Sequence, residues 1–404
     1  FNSAQVRALN TTQISGLTTN QLAGLNSSWV SSLSTTQLRS LEATKLNVLD
    51  AVSLAAISDA QIVGLTTAQI AGLSNSTIES LNTVAVAALR TTQIAAITTA
   101  QAIALVDATL TALTSSQIGA LTTSAVAVLN YDSVAAWLTD QVRALTTAQI
   151  VGLTTQQVSE LNTKTLTALS TKQIVALETR DIAALSYESL NALKTEQLQA
   201  LSSSQIAGLS SQQLNDLAST TLRNLTTSQV RFIETSDLAA LNVENIAVFK
   251  TEQLQALTSA QIAGLSSQQL ADLSTNTLRS LSTVQMSALE TSDLLALSVE
   301  SLGALQGAQI LALLTAQLTA LTSVQLAGLN SAAVNALSTT QLVALSSTKL
   351  NFWDVASVGG LTSSQVASLT TTQIVGLSTN FLAALDTTTV GGLTTAQITA
   401  LTTN

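Results

Sequence analysis

The side chains that could carry out chemistry in this 404-residue sequence are mainly carboxylates and hydroxyls. Asp237 and Glu244 could form a carboxylate pair for acid–base catalysis, but similar residues recur in equivalent repeats without a His or a metal-binding partner. A serine nucleophile needs a base beside it. The sequence contains no His, and its few Lys residues do not support a Ser–Lys pair. We therefore expect a solvated acidic face and structural hydroxyls, and we predict that the protein is not an enzyme.

Metal, phosphate and nucleic-acid sites have equally little support. The sequence has no Cys or His to bind a transition metal, its acidic residues lack the spacing of a calcium loop, and its glycines occur singly rather than in a phosphate-binding loop. With 14 Lys and Arg residues and a net charge of −9, nucleic acid and anionic membranes are not expected partners. The sequence predicts no catalytic, cofactor-binding or metal-binding residues.

Three tryptophans are the largest candidate contact residues. Trp137 and Trp353 replace a Leu of the repeat described below, and Trp29 stands where the repeat usually has Gln. The favoured interpretation is that they are large core residues, and the alternative is that they anchor a partner.

An eight-residue repeat runs through the sequence without insertion or deletion. Of the 50 positions from Leu9 to Leu401 in steps of eight, 44 are Leu, and the position three residues before each is Val, Ile, Leu or Met in 49 of 50 octads. The residue before each Leu is usually Ala, Gly or Ser, which indicates close packing there. Although 46% of the residues are hydrophobic, hydroxyls and Gln interrupt every octad, so no membrane span is predicted.

The spacing within the octad favours short α-helices. Residues three apart share one face of a helix but lie on opposite faces of a strand. Most of the Leu residues are followed by Ser, Thr, Asn or Asp, with Gln three positions later, as in Thr146 and Gln149; this is the spacing of a capping box. One continuous helix would wind the Leu stripe around its axis, so each octad is predicted to begin a new helix.

The predicted fold class is therefore all-α, a solenoid or superhelix of about 50 short helices, one in each eight-residue repeat. Helices this short are unstable alone and need support from their neighbours. A β-solenoid is the alternative, because Thr, Ile and Val are abundant and Gln side chains could stack in ladders.

A longer period of 56 residues, or seven octads, is superimposed on the octad. Residues 194–249 and 250–305 are identical at 36 of 56 positions. We interpret residues 1–404 as one continuous solenoid with superrepeat blocks at 2–57, 82–137, 138–193, 194–249, 250–305 and 306–361, a partial block at 362–404, and three extra octads at 58–81. Charged and aromatic residues collect in the sixth and seventh octads. They would form a stripe if seven octads made a whole number of turns, but the period could equally record only how the gene was duplicated.

The octads resemble two known kinds of repeat. The stretch LTTAQIVGL at residues 145–153 is similar to the first helix of the DNA-reading repeats of TAL effectors, but the likeness covers one octad and does not extend to DNA binding. Across the whole chain, uninterrupted LTTxQ octads resemble low-complexity repeat regions of large bacterial surface and secreted proteins. That resemblance implies an extracellular stalk, adhesin or filament component.

We predict a structural repeat protein: a subunit or rigid segment of a bacterial extracellular or cell-surface filament, stalk or adhesin that forms homo-oligomers or polymers. The sequence begins at Phe1 without a leader, so we expect a segment of a longer array, and its uncapped end octads favour end-to-end association. The alternative is a binding or adhesion module that uses one face of the solenoid to contact a protein, a glycan or an ice surface.

Overall fold

The computed structural model describes residues 2–402, and the chain divides into two compact units, Phe1–Gly208 and Leu209–Asn404. The helices of the first unit are α1 Ser3–Ala8, α2 Thr11–Ser15, α3 Thr19–Ala23, α4 Ser27–Ser32, α5 Thr35–Arg39, α6 Ala43–Leu46, α7 Ala51–Ala55, α8 Asp59–Gly64, α9 Thr67–Gly72, α10 Asn75–Glu79, α11 Thr83–Ala88, α12 Thr91–Ile94, α13 Thr99–Ile103, α14 Asp107–Ala112, α15 Ser115–Ile118, α16 Thr123–Ala127, α17 Tyr131–Ala135, α18 Thr139–Ala144, α19 Thr147–Val151, α20 Thr155–Ser159, α21 Thr163–Leu166, α22 Thr171–Ala176, α23 Thr179–Ala183, α24 Tyr187–Ala192, α25 Thr195–Ala200 and α26 Ser203–Ala207.

The helices of the second unit are α27 Ser211–Asp216, α28 Ser219–Asn224, α29 Thr227–Val230, α30 Thr235–Ala240, α31 Val243–Ala247, α32 Thr251–Ala256, α33 Ser259–Ala263, α34 Ser267–Ala271, α35 Thr275–Ser280, α36 Thr283–Ala288, α37 Thr291–Ala296, α38 Val299–Gly303, α39 Gly307–Leu311, α40 Thr315–Ala320, α41 Ser323–Ala327, α42 Ser331–Asn335, α43 Thr339–Ala344, α44 Ser347–Leu350, α45 Val355–Gly359, α46 Ser363–Ser368, α47 Thr371–Val375, α48 Thr379–Ala383, α49 Thr387–Val390 and α50 Thr395–Thr402.

The all-α prediction is confirmed, with one short helix in each octad. Residues 2–402 contain no strand, so the β-solenoid alternative is not supported. Each helix ends where the repeat Leu, or the residue before it, leaves the helical conformation. The residue after the Leu is then the N-cap of the next helix. Leu9, for example, is extended (ψ 135°), and Asn10 follows as an extended N-cap (ψ 168°). No described residue has a positive φ, so these helix ends do not depend on left-handed glycines.

Each unit is built from helices stacked with a regular offset. In the first unit α1 packs on α4 and α5 on α8, and in the second α34 packs on α37 and α39 on α42, so contacting helices are three apart in the chain. Hydrogen bonds between successive turns join residues 28 positions apart, as from Gln149 to Leu121. A turn of the solenoid therefore takes about 28 residues, or three and a half octads.

The two apolar positions of the octad form the core within each turn. Ile150 is 0% exposed and Leu153 is 2% exposed, and most of their equivalents are buried in the same way, except near the two ends of the described residues. Burial of two aliphatic side chains from every octad supplies the tertiary support that isolated helices of four to six residues would lack.

The small position before the Leu is where neighbouring turns approach most closely. A Cβ added to Gly152 would collide with the side chain of Thr123 in the turn before it, and one added to Gly264 would collide with Thr235. Glycine is thus used here for space rather than for its backbone freedom.

Replacing Gly303 with Ala tests another close approach between turns, at a glycine two residues before Leu305. The added Cβ would lie 2.6 Å from the carbonyl oxygen of Gly328, a backbone atom that cannot rotate away. We expect a loss of about 1–3 kcal/mol in the free energy of unfolding, measured by urea denaturation. In the control Gly24→Ala the nearest atom, the Asn20 carbonyl oxygen, is 3.9 Å away. That variant should be neutral or stabilised by up to about 1 kcal/mol, and equal effects at both sites would contradict the packing argument.

Candidate functional site

The most distinctive local structure is a buried glutamine side chain that joins two turns. Gln149 Oε1 accepts a hydrogen bond from the backbone N–H of Thr146 at 2.8 Å, and the backbone N–H of Gln149 donates to Thr146 Oγ1 at 3.2 Å. This is the capping box predicted from the sequence. In addition, Gln149 Nε2 donates to the carbonyl oxygens of Ile118 and Leu121, both at 2.8 Å, at the end of α15. One amide therefore caps the start of its own helix and the end of a helix in the previous turn.

The same arrangement recurs through both units. In each of the octads named below, Nε2 donates to the carbonyl 28 residues earlier and to a second carbonyl 30 or 31 residues earlier. In the first unit these residues are Gln37, Gln61, Gln69, Gln93, Gln101, Gln117, Gln141, Gln149, Gln157, Gln173, Gln197 and Gln205. In the second unit they include Gln253, Gln261, Gln269, Gln285, Gln309, Gln317, Gln325, Gln341, Gln365, Gln373 and Gln397. We call each of these a glutamine staple.

The staple explains why the octad uses Gln and not Glu. A capping box accepts either residue, because only an acceptor oxygen is needed. Only the amide can also donate two N–H groups to the previous turn. One satisfies the carbonyl of the repeat Leu, and the other adds a second bond to a carbonyl at the end of the helix before it. Capping alone was predicted from the sequence, and the bond to the previous turn was missed. The available signal was that 28 octads have Gln at this position and none has Glu.

Two octads use Lys in place of Gln, within the shared stretch TKLN. Lys45 Nζ donates to the carbonyl of Ser15, and Lys349 Nζ to those of Thr319 and Leu321. The Asn two positions later reaches the following turn: Asn351 Nδ2 donates to the Gly376 carbonyl at 2.9 Å. In these octads one residue therefore bonds to the turn before and another to the turn after.

Asp replaces Gln in the sixth octad of several blocks. There the side chain accepts a hydrogen bond from the previous turn, whereas the side chain of Gln donates to it. Asp293, 3% exposed, accepts a hydrogen bond from Ser267 Oγ at 2.8 Å and from the backbone N–H of Glu290 at 2.9 Å. Asp181 is placed in the same way against Thr155. A carboxylate has no N–H to donate, so these octads lack the staple.

Restoring the staple should stabilise the protein. In Asp293→Gln the new amide can reach the carbonyls of Ile262 and Leu265, the residues 31 and 28 positions earlier. We expect a gain of about 1–2 kcal/mol in the free energy of unfolding, measured by urea denaturation. Asp272→Asn, which removes an exposed carboxylate that bonds only to the Gln268 side chain on the helix surface, is the control and should change stability by less than about 0.5 kcal/mol. A destabilised Asp293→Gln protein would show that the position cannot accommodate the amide.

The carboxylates proposed as a catalytic pair occupy different environments. Asp237 is half-buried at the staple position of α30, and burial, followed by the negative charge of Glu234, raises its pKa. Glu244 is exposed in the first turn of α31. Among residues 2–402 no group of three or more His, Cys, Asp or Glu side chains is placed to hold a metal ion.

Three aspartates act as N-caps and have pKa values below the ordinary 3.8. The backbone N–H of Ser53 is the main cause for Asp50, that of Ser357 for Asp354, and the Thr389 hydroxyl, 2.6 Å from Oδ1, for Asp386. These hydrogen bonds favour the ionised carboxylate.

Stability should therefore fall in acid through these caps. Their folded pKa values lie below the unfolded ones, so their contribution is complete above about pH 4 and is lost as the pH falls through the folded pKa values. We expect the melting temperature to drop between about pH 4 and pH 2. In a variant carrying Asp50→Asn, Asp354→Asn and Asp386→Asn, which keeps the caps but cannot titrate there, the drop should be smaller. If the melting temperature of that variant falls with pH as it does in the parent, these three aspartates do not cause the loss of stability in acid.

All three tryptophans lie in the core, as the favoured interpretation predicts. Trp29, Trp137 and Trp353 are 4%, 3% and 6% exposed. Trp353 Nε1 donates to the Leu326 carbonyl at 3.1 Å in the preceding turn. These side chains are therefore unavailable as anchors for a partner in this conformation.

The 56-residue period corresponds to two turns of about 28 residues, so equivalent octads lie on the same side at every second turn within a unit. Seven of the exposed acidic residues are spaced 28 residues apart, which places one of these carboxylates on each turn. They are Asp132, Glu160 and Glu188 in the first unit, and Asp216, Glu244, Asp272 and Glu300 in the second. This acidic row is the solvated face that the charge pattern predicts.

Comparison with known families finds a similar repeat over part of the chain. The ALTTAQ repeat matches the chain over residues 174–211, 187–219 and 231–267. The matched stretches are thus a repeat region similar to that family, and they contain the stapled octads of Gln205 and Gln261. No curated protein matches the chain. In the described part of the chain, no helix is both long and apolar enough to cross a bilayer.

Proposed function

We propose that this protein is a rigid structural segment of an extracellular filament, stalk or adhesin on a bacterial surface, and that it associates with copies of itself. The observation that carries the proposal is the glutamine staple. Because the same buried amide joins successive turns throughout both units, each turn is held to the next by bonds and not only by apolar contact. Such a chain resists bending within a unit, which suits a spacer.

Exposed aliphatic side chains support self-association. Leu138 and Leu314 occupy N-cap positions, where most octads have a hydroxyl or an Asn, and they are 63% and 56% exposed. Neither side chain can cap its helix, so these positions give up local helix stability while adding apolar surface. An interface between copies would bury that surface.

Electron microscopy of the material isolated from its native source tests the proposal. Fibres or bundles that contain this chain, on the outside of the cells, are the expected result. Discrete monomers that bind a defined ligand would contradict it and would favour the alternative of a binding module. The double variant Leu138→Ser and Leu314→Ser should weaken association, measured by sedimentation, while its circular dichroism remains that of the parent. Unchanged association would show that these two residues are not part of the interface.

A further inference from the structure

The staples are unevenly distributed within each 56-residue block. In residues 250–305 the first, second, third and fifth octads carry staples, at Gln253, Gln261, Gln269 and Gln285. In the sixth and seventh octads, which follow one another, the side chain at this position makes no donor bond to the previous turn among the described residues. Asp293 accepts its bonds, and Ser301 Oγ bonds to Ser298 Oγ at 3.0 Å within its own octad.

The first unit shows the same interruption in residues 138–193. Gln141, Gln149, Gln157 and Gln173 form staples, whereas Asp181 accepts a bond from Thr155 Oγ1 at 2.8 Å. In the seventh octad Ser189 replaces Gln, and its backbone N–H donates to Ser186 Oγ at 3.2 Å. Two consecutive octads thus lack the amide link to the previous turn.

Residues 306–361 provide a comparison within the same chain. Their sixth octad has Lys349, whose Nζ donates to the Leu321 carbonyl at 2.7 Å. Their seventh has Ser357, whose Oγ lies 3.5 Å from the Leu329 carbonyl oxygen as a long donor, and Trp353 Nε1 adds a bond to Leu326. Here the equivalent octads have donors to the earlier turn.

We propose that the paired sixth and seventh octads are built-in opening points, at residues 178–193 in the first unit and 290–305 in the second. Local opening is easiest where the fewest bonds must break, and each missing staple removes two hydrogen bonds to the previous turn. This inference deepens the proposed structural role, because it identifies where a rigid segment would yield under load.

Hydrogen–deuterium exchange of the full chain, followed by mass spectrometry of peptides, tests the inference. Backbone amides of residues 178–193 and 290–305 should exchange about tenfold faster or more than those of residues 138–145 and 250–257, which are stapled to the turns on both sides. Residues 346–361 should be protected more than residues 290–305. Equal protection across the octads, or slower exchange at 290–305, would overturn the proposal.

A matched variant separates the missing staples from other causes. Asp293→Gln combined with Ser301→Gln should slow exchange in residues 290–305 about tenfold or more, while residues 178–193 keep their parent rate as an internal control. If the variant folds and residues 290–305 still exchange at the parent rate, the staples do not control opening. If the variant does not fold, the proposal is decided by the exchange pattern of the parent protein alone. The exchange pattern is independent of whether fibres form, so this inference and the proposed function can fail separately.

Discussion

Replacing Gln149 with Glu is expected to lower the free energy of unfolding by about 2–5 kcal/mol. The carboxylate can still accept the Thr146 N–H, so the local cap remains. Its second oxygen would face the carbonyl oxygens of Ile118 and Leu121, which now bond to Nε2. The change therefore buries a negative charge against two acceptors, removes the donor of the Leu121 carbonyl, and leaves the Ile118 carbonyl with only the Leu121 N–H. Urea denaturation followed by circular dichroism measures the loss.

The control for this variant is Gln13→Glu. Gln13 forms the same capping box, with Oε1 2.9 Å from the Asn10 nitrogen, but its side chain is exposed and makes no hydrogen bond to another turn among the described residues. We expect a change within about 0.5 kcal/mol. If Gln13→Glu were as damaging as Gln149→Glu, capping and not the staple would explain the effect. Because repeat proteins can unfold in parts, exchange rates near α15 and α19 should accompany the denaturation curves.

Truncation of a core aliphatic is the second large effect. Ile374 is 0% exposed in α47, and Ile374→Ala should cost about 2–5 kcal/mol in the free energy of unfolding, through lost apolar burial and the cavity left behind. The measurement is again urea denaturation of the full chain.

Ile398 in α50 is the matched control, because it holds the same octad position and is 45% exposed. Ile398→Ala should cost less than half as much as Ile374→Ala, since part of its surface is already in water. Equal losses would mean that the octad position, independent of burial, sets the contribution, which would contradict the packing account.

The helical class could be predicted from the sequence because its signals are local. The three-residue spacing of Val6 and Leu9, and the cap-to-Gln spacing of Thr146 and Gln149, each depend on one octad. Both are present in the structure: Val6 is buried and Thr146 caps α19.

The number of residues in a turn could not be read in the same way. It depends on how helices from distant octads stack, and every octad resembles every other, so no residue identifies its neighbour in the next turn. Only the 56-residue period is related to the length of a turn. The hydrogen bond from Gln149 to the residue 28 positions earlier shows that the period equals two turns. The sequence did not indicate the inter-turn bond of Gln, because capping alone already explained its regular spacing within the octad. The reversed bond of Asp293 was hidden for the same reason.

The most direct test of the glutamine staple is hydrogen exchange of the Gln149 side-chain amide itself. In a ¹⁵N NMR spectrum the Nε2 signal can be assigned by its loss in Gln149→Glu, and its decay in D₂O can be compared with that of Gln13. The account predicts strong protection for Gln149, since both of its N–H groups are buried and donate to carbonyls, and rapid exchange for Gln13. A Gln149 amide that exchanges as rapidly as that of Gln13 would contradict the staple and the 28-residue turn inferred from it.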